Sequence, residues 1–134
     1  MDIKLPDDLE DQATADTSFS LKDIITFSQS LPSKRVKWAR LSLLANRIKD
    51  EATENVENKE AELTVYYMKD YSVAVDRRDI IHYVKCDAEY KAAVTKLNEA
   101  KRNCTFIDKV QAAFKESTFD ISNIIKREIF LNGG

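Results

Sequence analysis

Glycine is absent from residues 1 to 132 of this chain of 134; Gly133 and Gly134 close it, and Pro6 and Pro32 are the two prolines. Hairpin turns need residues that accept positive φ, and phosphate-cradling loops need backbone unobstructed by a side chain. Asn can stand in at single left-handed positions, but connected helices are what such a chain most readily builds. The predicted class is all-α, in one domain, the length being too short for two. A composition of 43% hydrophobic, 33% charged and 9% aromatic residues fits long helices that each bury one stripe.

The formal charge of −2 is unevenly spread. Residues 1 to 16 hold six acids (Asp2, Asp7, Asp8, Glu10, Asp11, Asp16) against Lys4, a net of −5, so the remainder carries +3. Residues 1–18 therefore read as an acidic, flexible leader on a mildly basic body, 19–134, that meets an anion. No apolar stretch resembles a signal peptide or a membrane span, and two cysteines, Cys86 and Cys104, make no disulfide framework. A reducing cytoplasm is the expected compartment, with no membrane partner.

Along the body, a short helix over about 20–30 is expected to stop at Leu31-Pro32, because the residue before proline is pushed out of the α region. A long helix is then expected over about 33–68. Its first third is apolar and basic, with no acid between Lys34 and Lys49; its middle is acidic, from Asp50 to Glu62, over a thin seam of Ala52, Val56 and Leu63. Tyr71, Val73 and Val75 alternate as a short extended segment near 71–76 would. Tyr90, Ala93, Leu97, Ala100, Cys104, Ile107, Gln111 and Phe114 recur at alternating steps of three and four. That 3.5-residue repeat predicts a coiled-coil helix over about 87–116 that buries its seam against partner helices. A terminal helix over about 119–131, with Ile121, Ile124, Ile125 and Ile129 on one face, should stop at Asn132-Gly133.

Catalytic chemistry needs converging groups, and the inventory offers few. His82 is the lone histidine, and with two distant cysteines it has no zinc-ligand spacing. No cofactor or metal is expected, and the chain reads as a non-enzyme. Binding chemistry is better represented: Lys34, Arg35, Lys37 and Arg40 crowd around Trp38 at the expected start of the long helix. Cations there oppose the helix macrodipole unless an anion is collected, and Trp38 could stack on an unpaired base. Arg77-Arg78 and Lys101-Arg102 are secondary basic candidates.

The stretch Ser117-Thr118-Phe119-Asp120-Ile121-Ser122-Asn123-Ile124-Ile125, closing with Phe130-Leu131-Asn132-Gly133-Gly134, resembles the end of the UvsY-like recombination mediators of tailed phages. Tyr66-Tyr67 after a long charged helix resembles the paired tyrosines of that family. The segment Leu31 to Leu44 and the heptads from Asp87 to Phe114 fall at matching places, so the resemblance spans about 25–134. It departs where Glu60 and Glu62, rather than basic residues, precede the tyrosines and no glycine-containing loop follows. The resemblance implies a helical, ring-like homo-oligomer that binds single-stranded DNA and helps a RecA-like recombinase displace the single-strand-binding protein. On that reading Lys34, Arg35, Lys37, Arg40, Arg77 and Arg78 contact phosphate, and Trp38, Tyr66 and Tyr67 stack on bases. Tyr90, Ala93, Leu97, Ala100, Cys104, Ile107, Phe114, Ile121, Ile124 and Ile125 then oligomerise. A structural coiled-coil assembly factor, or a small acidic inhibitor of a host nucleic-acid enzyme acting through the leader and the 50–62 acids, are the alternatives.

Overall fold

The structure is a computed structural model that describes residues 4–133. Every regular element among them is helical: α1, Leu9–Thr17; a 3₁₀ turn, Leu21–Asp23; α2, Ile24–Val65; a π-helical turn, Tyr66–Asp70; α3, Ile80–Cys86; and α4, Ala88–Leu131. The chain divides into two compact units, one holding the residues up to Leu44 and those from Thr105 onward, the other Ala45–Cys104. The all-α class is as the missing glycines require.

In the first unit, residues 9–17 of the acidic stretch expected as a flexible leader instead form α1, which buries Leu9 and Ala13; residues 1–3 of that stretch lie outside the described residues. Glu10 and Asp11 sit in its first turn, where negative charge complements the macrodipole. The Gln12 amide N–H and side-chain Nε2 both donate to Asp8, at 2.9 and 2.8 Å. Thr14 and Thr17 return their hydroxyls to carbonyls four residues back. A high charge density thus coexists with order because one edge of the helix is apolar.

The second correction concerns Pro32, which lies inside α2 and does not end a helix there. Proline removes one amide donor and crowds the carbonyl four residues earlier, at a cost of about 3 kcal/mol. What holds the helix through it is burial on both sides: Phe27, Leu31 and Trp38 are buried, and Pro32 itself is exposed. Phe19 stacks on Phe27 at 4.6 Å between centroids, and Lys34 Nζ lies 4.4 Å from the same ring. Fixing Phe27 and Trp38 on one face requires helical phase between them, and that burial outweighs the local preference of Leu31.

In the second unit, Lys59 Nζ lies 3.4 Å from Glu89 Oε2, and Cys104 Sγ donates to Asn46 Oδ1 at 3.9 Å. Two pairs in that order mean that α2 and α4 run antiparallel there. Leu63, Ile80 and Val84 form a small core, with Tyr67, Val75 and Tyr90 packed around it. Residues 71–76 are irregular, with no strand among the described residues; Tyr71, which caps the π-helical turn, is extended, at ψ 137°.

α4 runs unbroken to Leu131, so the expected separation of a coiled-coil helix from a terminal helix is absent. The reason is Ser117: it is buried, in phase with Phe114 and Ile121, and serves as a small seam residue rather than a cap. Gly133, at φ +71°, sits just past the end as expected, its amide donating to the Phe130 carbonyl. The seam residues Ala93, Ala100, Ile107, Phe114 and Ile121 are all buried within one chain, and Tyr90, Leu97, Cys104 and Ile124 are half-buried. The residues expected to oligomerise are thus largely covered already by this chain; Ile125, by contrast, is 48% exposed.

Candidate nucleic-acid interface

The four cations around Trp38 do not converge. The helix begins at Ile24, so Lys34 to Arg40 lie several turns inside it, where the backbone amides are bonded and no free helix end assists an anion. Lys34 lies against Phe27, and Lys37 Nζ is 2.6 Å from Asp16 Oδ2. Trp38 is wholly buried, and its indole N–H donates to the same Asp16 oxygen at 3.0 Å. Its ring offers no face for a base, which corrects the stacking role given to it above. Burial alone would raise the Asp16 carboxyl, but the hydrogen bonds from Lys37 and Trp38 outweigh it and hold the group below the usual carboxylate range. Arg35 and Arg40 remain exposed, with no ion pair among the described residues.

The tyrosines behave differently. α2 passes into a π-helical turn at Tyr66, closed by an i→i+5 hydrogen bond from the Tyr71 amide to the Tyr66 carbonyl at 3.0 Å. Such single-turn widenings recur at functional positions. The wider turn brings residues 66, 67 and 71 together, and α3 adds Tyr83. Ring centroids are 5.1 Å apart for Tyr66–Tyr67, 5.0 Å for Tyr67–Tyr71, 5.6 Å for Tyr67–Tyr83 and 5.9 Å for Tyr71–Tyr83. The pairs run from edge-on to tilted, the arrangement that ring quadrupoles favour. Tyr66 and Tyr83 stay 43% and 41% exposed, so ring surface is left for a ligand.

Tyr67 is the anchor. Its hydroxyl donates to Asp87 Oδ2 at 2.7 Å, while Asp87 Oδ1 accepts the Glu89 amide and so caps α4. The hydrogen bond to Asp87, with desolvation and the carboxylate's charge adding to it, pushes the Tyr67 phenol up to about 12. The Tyr67 and Glu89 hydrogen bonds hold Asp87 below its ordinary value. One carboxylate therefore fixes both the central ring and the start of the next helix.

Over residues 66–87, Lys69, Arg77, Arg78 and Lys85 stand against Asp70, Asp76, Asp79 and Asp87, a local balance of zero. Arg77 and Arg78 are exposed, and Arg77 borders a shallow apolar groove with Met68, Ile80 and Ile81. Sequence reasoning named Tyr66, Tyr67, Arg77 and Arg78, but missed Tyr71 and Tyr83. The five-residue step from Tyr66 to Tyr71 was a visible sign of a π turn; nothing in the sequence pointed to Tyr83. Among the described residues no group of three or more His, Cys, Asp or Glu side chains could hold a metal, and no helix is long and apolar enough to cross a membrane.

The chain matches no protein-family model, and comparison with curated proteins and with solved structures finds no match.

Proposed function

We propose that this chain is a non-catalytic, single-stranded DNA-binding protein in which the cluster of Tyr66, Tyr67, Tyr71 and Tyr83 receives unpaired bases. The observation that carries the reading is the cluster itself: four rings linked by ring contacts through Tyr67 and Tyr71, two of them about two-fifths exposed, with Lys69, Arg77 and Arg78 in the same stretch of chain. Ring stacking is sequence-tolerant because every base has a π face, whereas a paired duplex keeps its faces covered. Exposed guanidinium groups in the same segment suit the phosphates between those bases.

The wider role follows the sequence resemblance to UvsY-like mediators. In it the protein, as a homo-oligomer, helps load a RecA-like recombinase onto DNA covered by single-strand-binding protein. Repetition of one weak site around an oligomer would raise avidity without a strongly basic chain. The test is fluorescence anisotropy of a labelled oligonucleotide with the native chain and the variants Tyr66→Ala and Tyr83→Ala, folding being checked by circular dichroism. Each loss should weaken single-strand binding by about 1–3 kcal/mol, and Tyr66→Phe should bind as the native chain does. Unchanged affinity in both alanine variants would remove the tyrosines from the interface. No binding to single strands at low salt would remove the function and favour the assembly-factor reading.

A further inference from the structure

The first unit carries a second heptad stripe that its own fold leaves open. Ile25, Gln29, Pro32, Val36, Ala39 and Leu43 follow one another at steps of four, three, four, three and four along α2. This is the spacing of a coiled-coil seam, on the face away from the buried Phe27, Leu31 and Trp38. All six residues are exposed, Ile25 by 71%, Val36 by 51% and Leu43 by 74%. At 1.5 Å per residue the stripe is about 27 Å long, enough for a partner helix of several turns.

Charge identifies the partner. From Ile24 to Lys49 there are six cations and no acid. Arg35 lies along one flank of the stripe and Arg40 along the other, both exposed and unpaired among the described residues. A second copy laid on the same face would set arginine flanks against arginine flanks, and like charges at those positions oppose pairing. Nor does the acidic half of α2 supply the match in another copy: the same register there meets Asp50, Thr53, Glu57 and Glu60, which have no apolar seam. We propose that this stripe docks a helix of a different protein, one with an apolar 3–4 seam flanked by Asp and Glu. The surface lies on residues 25–43 and is independent of the tyrosine cluster on residues 66–83.

The test uses the full chain and two labelled four-heptad peptides that share an Ile/Leu seam and carry either Glu or Lys at the flanking positions. The Glu-flanked peptide should bind and the Lys-flanked one should not. Val36→Glu and Leu43→Glu, both at exposed positions, should weaken that binding about tenfold or more, Leu43→Ala should act in the same direction, and Arg40→Glu should weaken it too. Oligonucleotide binding should be unaltered in the Val36 and Leu43 variants. Equal binding of both peptides, or of neither, overturns the proposal. So does self-association in sedimentation that Leu43→Glu abolishes, which would make a second copy the occupant. Binding to phosphatidylglycerol vesicles, or to the oligonucleotide, that collapses in the Val36 and Leu43 variants overturns it as well, and reassigns the stripe to an anionic membrane or to nucleic acid.

Discussion

Asp16 receives hydrogen bonds from Lys37 and Trp38, both on a helix that it does not belong to, and is mostly covered. Because its folded carboxyl lies below the unfolded value, the contact contributes fully above about pH 3.9 and is lost as pH falls through the folded value. Trp38 is the chain's single tryptophan, so its emission reports this event directly. The native chain should show a red shift on acidification below about pH 4, with the indole gaining water as α1 lets go. Asp16→Asn keeps an acceptor for the indole but loses the charge; it should be about 1 kcal/mol less stable at neutral pH and lack that acid step. An acid step of equal size in the variant would show that another carboxylate holds α1. Replacing the indole itself is more severe: Trp38→Ala leaves a cavity and should cost about 3–5 kcal/mol in urea unfolding.

At the level of elements, α2 persists through Pro32 because buried residues on either side demand it. Pro32→Ala restores one amide donor and removes a steric conflict at an exposed position, so it should raise stability, by up to about 3 kcal/mol. A fall in the denaturation midpoint would mean that the proline shapes the helix for packing rather than merely burdening it. The same element shows what a sequence can and cannot disclose. The α4 seam from Tyr90 to Phe114 was legible because a strict 3–4 repeat admits few readings, and each of its eight positions is buried or half-buried. The companion stripe on α2, Phe27, Leu31, Lys34, Trp38, Leu41 and Ala45, has the same spacing, yet Lys34 within it and Pro32 next to it in sequence disguised it as the end of one helix and the start of another. α1 was hidden by its charge, although Leu5, Leu9 and Ala13 already stood four residues apart. The apolar seam of a helix is read from spacing; whether a given aromatic faces core or solvent depends on contacts remote in sequence. That is why Trp38 was misassigned and Tyr83 missed.

For the whole molecule the decisive property is that the tyrosine segment has no basic excess. Over residues 66–87 four cations face four acids, and the entire chain is at −2. Electrostatic attraction to a single strand grows with the number of phosphates neutralised, at about 0.7 of a logarithmic salt slope for each. If Lys69, Arg77, Arg78 and Lys85 all engage phosphate, the slope per subunit can be no steeper than about −3. Stacking must then supply much of the affinity. Tyr66→Ala should lower affinity at every salt concentration while leaving the slope unchanged. Arg77→Ala and Arg78→Ala should each flatten the slope by up to about one unit, with a smaller loss at high salt. These opposite signatures, read in one set of anisotropy titrations between low and moderate salt, separate stacking from charge without reference to absolute affinity. A tyrosine variant that changes the slope, or arginine variants that do not, would place the phosphates elsewhere, with the exposed Arg35 and Arg40 the next positions to substitute.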